Sequence, residues 1–183
     1  MYLSPVFFWG TEKMFLGLSL LVVGVVLCLN GIWQMGRIQD REIILINAVA
    51  SLVFFAIVLL IALAARQPAD LLDAGMTLLF GSTYLWVAYN RTFASSGEGL
   101  GWFSGFVALT AAPMVLRVLA QADGLFDVWL AGCWAAWSGL WFLYFLNLAL
   151  KRGSPRLTAI ATLLCGIFTG WLPGLAVLHG LAG

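Results

Sequence analysis

Charge is what this sequence has least of. Only 9% of its 183 residues are Asp, Glu, Lys or Arg, the net charge is +1 and there is a single histidine. A soluble domain carries about 25% charged residues, so a water-facing globular surface is excluded. A balance so near zero leaves no basic stripe to displace counterions from phosphates, which excludes a nucleic-acid binder. Cys28, Cys133 and Cys165 stand singly inside apolar runs with no C-x-x-C spacing, and read as small buried residues without a disulfide or a metal. One histidine cannot make a di-histidine metal site, and no acid/base pair is visible, so neither catalysis nor a cofactor is expected.

What the chain does have is hydrophobicity: 63% apolar residues, nine Trp, thirteen Phe and a mean hydropathy of +1.02. The apolar stretches are continuous over about twenty residues and do not alternate, which predicts an all-α membrane bundle and not an outer-membrane barrel. Six spans are expected, at 14–35, 42–65, 71–89, 100–119, 126–150 and 157–178. They make one channel-sized domain over 14–183, preceded by an aromatic segment, 1–13, that reads as interfacial because it lacks the basic start and cleavage site of a signal peptide.

Positive residues are retained on the cytoplasmic side of a membrane. Loops after spans one, three and five hold Arg37, Arg41, Arg91, Lys151, Arg152 and Arg156, against Lys13, Arg66 and Arg117 on the opposite side. Both termini are therefore predicted outside the cytoplasm.

Ionisable groups inside a membrane mark proton relays, voltage sensors and ion pathways, and the middles of all six spans have none. Neither lysine, Lys13 or Lys151, could form a retinal Schiff base in mid-membrane. The polar groups at depth are neutral: Asn30 and Trp33 in span one, Asn47 and Ser51 in span two, Ser82, Thr83 and Tyr84 in span three, Thr110 in span four, and Thr158, Thr162 and Thr169 in span six. Such a lining suits a small uncharged polar solute in a lipid-embedded protein.

Span five carries Trp134, Trp137 and Trp141, three and four residues apart and so on one helical face. All lie within roughly 6 Å of the level of Ser138 at 1.5 Å rise per residue, too deep for an interfacial belt, to which Trp102 and Trp129 are better suited. Buried indole N–H groups need acceptors, and three in a row are expected to face a polar solute or a polar helix. Phe80 and Tyr84 in span three would form the opposing wall of a slot. Gly166, Gly170 and Gly174 in span six, with Gly101 and Gly105 in span four, make small-residue seams for close helix approach, while Pro113 and Pro173 should bend their helices. The run TLLFG at 77–81 echoes TLLCG at 162–166, which predicts two inverted three-helix halves with Phe80 and Cys165 at equivalent depth.

These residues resemble the bacterial urea/amide channel family, AmiS/UreI, over nearly the whole chain. The resemblance is carried by Leu29-Asn30-Gly31, by Arg41-Glu42 with Asn47, and by 78–86 in span three (LLFGSTYLW). It continues with 99–103 (GLGWF) and 106–110 (FVALT), Trp134 with Trp137 and Leu140-Trp141, and 167–174 (IFTGWLPG). It implies a six-helix protomer with its own pore, a homohexameric ring in the inner membrane and termini on the periplasmic side. It also implies passive conduction of urea or acetamide-like amides toward a cytoplasmic urease or amidase. Residue by residue it gives pore-lining roles to Phe80, Tyr84, Trp134, Trp137 and Trp141, then to Leu27, Asn30 and Leu140. Cys165 stands where acid-gated members have a pore glutamate, and the histidine-rich external loop is missing, so the resemblance is closer to the amide-type branch and implies no acid switch. A non-conducting small-amide sensor or assembly subunit is the competing class, and proton-coupled uptake is disfavoured by the uncharged spans.

Overall fold

The computed structural model describes residues 5–181, with side chains from Met14 to Leu181. Six helical rods follow one another: α1 (Pro5–Gln34), α2 (Asp40–Ala64), α3 (Pro68–Thr92), α4 (Glu98–Ala120), α5 (Leu125–Tyr144) extended by a π-helical turn (Phe145–Ala149), and a last rod of α6 (Pro155–Cys165), a second π turn (Gly166–Trp171) and α7 (Leu172–Leu178). Each rod contains an apolar stretch long enough to cross a membrane, and no strand is present among the described residues. The interfacial placement expected for residues 1–13 falls on side chains outside the described residues.

The rods start and stop where local chemistry dictates. A capping box of Gln39 and Glu42 opens α2, and Asp70 closes a similar box on Gln67 behind Pro68 at the start of α3. Ser154 accepts from the Leu157 N–H at 3.3 Å at the start of α6. Pro113 is taken up inside α4, which continues to Ala120 without a break in helix.

Pro173 explains the π turn before it. In π register the Leu172 N–H bonds to the Ile167 carbonyl, and the next donor in that register would be residue 173, which as proline has no N–H. The orphaned carbonyl of Phe168 is taken instead by the indole of Trp129, at 3.1 Å. Trp129 is thus a tie between α5 and the last rod, a more specific role than the belt position expected of it.

Packing unites the rods as three neighbouring pairs, α2 with α3, α4 with α5, and α1 with the last rod. Two inverted halves of three helices would repeat each pairing once, whereas the close α2–α3 contact has no equally close counterpart between α5 and α6. Pairs, not triplets, are the packing unit. The tightest seam joins α1 to the last rod, where Gly24 and Gly170 meet backbone to backbone: a Cβ on either would collide with main-chain atoms of the other strand of the seam, and one on Gly174 would lie 2.6 Å from the Leu21 nitrogen. The three pairs enclose a core of Leu20, Leu27, Phe54, Phe80, Tyr84, Trp137, Leu140 and Trp141.

Candidate functional site

A narrow cavity runs inside this core, lined by Leu27 and Asn30 of α1, Phe80, Thr83, Tyr84 and Val87 of α3, Leu100 and Ser104 of α4, and Trp137, Leu140, Trp141 and Tyr144 of α5. Its volume is about 30 Å³, room for one or two waters. Seven of the nine residues expected at the site are in this lining. Trp134 stands just behind it, its ring 6.1 Å from Phe80 and 5.2 Å from Trp137. Cys165 is also set back, half-buried against the aromatic core with its Sγ 4.0 Å from the Ala136 carbonyl.

Phe80 is the hub of the aromatic wall. Trp137 meets it edge-on at 5.1 Å and 85°, Trp141 tilts against it at 4.7 Å, and Phe54 of α2 stacks on its outer side at 5.9 Å and 18°. Such pairs contribute about 0.5–1.5 kcal/mol each beyond area burial, so the rings fix one another. Phe54 was not expected here, although it follows Asn47 by two helical turns on the same face of α2.

Of the two partners expected for the indole N–H groups, Trp137 and Trp141 take the polar helix and not the cavity. Trp137 Nε1 donates to Thr169 Oγ1 at 2.7 Å and Trp141 Nε1 to Thr83 Oγ1 at 3.2 Å. Each threonine hydroxyl in turn donates four residues back along its own helix, Thr169 to the Cys165 carbonyl at 2.6 Å and Thr83 to Leu79 at 2.8 Å. The tryptophans therefore present ring surface to the cavity, with their polar hydrogens tied into the wall. Tyr84 differs: it is 2% exposed, lies in the lining and packs its ring on Phe54 at 5.7 Å.

The end of the cavity nearest the α1–α2 loop is polar. Asn30 and Asn47 exchange amide hydrogen bonds at 3.0 and 2.7 Å while fully buried, and Asn47 also donates to the Ile43 carbonyl. One turn beyond Asn30, the Gln34 amide donates to the Asn30 carbonyl at 3.1 Å and to the Tyr144 hydroxyl at 2.7 Å. Tyr144 bonds to Thr162 at 3.0 Å. Tyr144 was missed in the sequence, yet it lies three residues beyond Trp141 and so shares its face. At the rim, Arg91 pairs with Asp40 at 3.5 Å and covers the Trp33 ring, whose Nε1 donates to Asp40 at 2.7 Å. Lys151 and Glu98 make a second rim pair at 3.7 Å. No charged side chain is in the cavity lining.

Six membrane-length helices packed around an uncharged, aromatic-walled cavity define a multi-pass membrane transport protein. The chain belongs to the AmiS/UreI family of transporters, whose sequence profile matches residues 15–181. It is 36% identical over 168 residues to a Mycolicibacterium smegmatis protein designated a transporter of amidate substrates, covering 90% of this chain and 76% of that one. It is 29% identical over 187 residues to the acid-activated urea channel of Helicobacter pylori, covering 86% and 94%. The fold is similar to the crystal structure of the urea channel from that organism, with a TM-score of 0.81 at 29% identity, over 92% of this chain and 99% of that one.

Proposed function

We propose that this protein is a passive channel for small neutral polar solutes, urea and short aliphatic amides, and not an enzyme. The observation that carries the reading is the wall: rings and internally bonded hydroxyls with no charge among the lining residues. Ions would lose their water shell there with nothing in exchange, whereas a planar amide could pass between ring faces with its carbonyl near the Tyr84 hydroxyl of the lining. Phe80, Tyr84, Trp137, Trp141, Leu140, Leu27 and Asn30 line the path in this reading. Trp134 braces it, and Cys165 fills the place of a pore glutamate without supplying charge. The family resemblance supports a homohexamer in the inner membrane, termini on the external side and delivery to a cytoplasmic amidase or urease.

Stopped-flow uptake of urea, acetamide and a bulkier amide into proteoliposomes tests this. Uptake should be fast, should fall with solute size, and should change its selectivity in Trp137→Ala. Between pH 5 and about 8 it should be flat, because the lining holds no histidine, carboxylate, lysine or arginine. A steep rise on acidification would reject the ungated reading. The narrowness of the cavity favours, as a second reading, an amide-binding subunit that does not conduct, and rates equal to empty liposomes from folded protein would establish that class.

A further inference from the structure

The side chain of Gln34 ends in a primary carboxamide on a methylene, the same group as acetamide, and it sits at the polar end of the cavity. Its orientation is fixed by chemistry: a backbone carbonyl only accepts, so the atom 3.1 Å from the Asn30 oxygen is the NH2 nitrogen. The second amide hydrogen reaches the Tyr144 hydroxyl at 2.7 Å. Thr162 uses its own hydrogen on the Thr158 carbonyl at 2.7 Å, so Tyr144 donates to Thr162 and keeps its lone pairs for Gln34. Both acceptors belong to residues that line the cavity. Neither hydrogen bond depends on the aromatic wall, and Gln34 itself is half-buried one turn beyond that lining.

We propose that the Asn30 carbonyl and the Tyr144 hydroxyl form an inner subsite for the NH2 group of a primary amide, and that Gln34 is a tethered occupant which a permeating amide displaces. The proposal rests on the amide-channel reading and deepens it. Asn30 is held for the task by its paired bonds to Asn47, and Tyr144 by Thr162. A solute with an NH2 group replaces both bonds that Gln34 gives up, so exchange is near-neutral. A solute of similar size without one, such as ethylene glycol, has to break them with poorer geometry in return.

Three variants test the subsite in proteoliposomes: Gln34→Met, which keeps length and removes the amide, Tyr144→Phe, which removes one acceptor, and Trp137→Ala as a check on the wall. Removing the occupant should raise acetamide uptake at low concentration by about fivefold, the equivalent of one net hydrogen bond. Tyr144→Phe should lower the acetamide-to-glycol ratio by a similar factor. Wild-type ratios in both variants, in protein that still conducts and still responds to Trp137→Ala, would overturn the subsite and leave the channel reading intact. Saturation-transfer NMR of acetamide on the detergent-solubilised protein reads occupancy without flux. A stronger signal in Gln34→Met and a weaker one in Tyr144→Phe would support the subsite even in a protein that conducts nothing, and equal signals in all forms would overturn it.

Discussion

The two sides of the bundle are joined in opposite ways. Along the seam of α1 and the last rod, glycines bring main chains into contact and leave no space between them. Across the middle, between α3 and α5, large rings meet at 4.7–5.1 Å and a small cavity persists beside them. In lipid there is little hydrophobic force between helices, so association depends on packing and hydrogen bonds. The seam supplies the packing, and it lets the centre hold rings and neutral polar groups around a small cavity.

The comparison breaks most completely at the seam. In Gly170→Ala the new Cβ meets the backbone of Gly24, an overpacking that costs about 3 kcal/mol or more because neither main chain can withdraw. Loss of a monodisperse peak on size exclusion and of all uptake is expected, while Gly75→Ala, where a Cβ meets open space, should behave as wild type. Native elution of Gly170→Ala would show that the seam is softer than its geometry.

A smaller effect is expected where polar bonding replaces packing. Asn47→Leu leaves the buried Asn30 amide without its partner, at a cost of about 1–3 kcal/mol, measured as a lower Tm in detergent. Unchanged stability would mean that Asn30 finds another partner. The smallest change is Thr169→Val, which keeps shape and removes the acceptor of the Trp137 indole. Stability should fall by about 1 kcal/mol, and urea-to-acetamide selectivity should shift as the freed N–H turns toward the cavity. Identical selectivity would make Thr169 a packing residue only.

The spans were legible in the sequence because twenty apolar residues in a row have few other uses, and the rods end within a few residues of the expected limits except at the start of α1, whose helix begins at Pro5. The aromatic face of α5 was legible from the spacing of its tryptophans. The direction of their N–H groups was not, since Thr83 and Thr169 lie 58 and 32 residues from the indoles they accept and nothing local marks the pairing. The π turns were half legible: Pro173 announces a disturbance, but the carbonyl it orphans and the tryptophan that takes it are known only from packing. The pairing of helices was not legible, since the five-residue echo of 77–81 in 162–166 records composition at a depth and carries no information about neighbours.

The hydrogen bonds of the wall have one further property, which concerns the electrochemical gradient of the cell. Each chain of them stops at a backbone carbonyl: Trp137 through Thr169 at Cys165, Trp141 through Thr83 at Leu79, and Gln34 through Tyr144 and Thr162 at Thr158. A carbonyl of the main chain accepts a hydrogen bond and has no proton to hand on. Relays that end this way carry no Grotthuss current along the wall itself, so any proton crossing the protein by this route has to travel on water inside the cavity and not on the side chains around it.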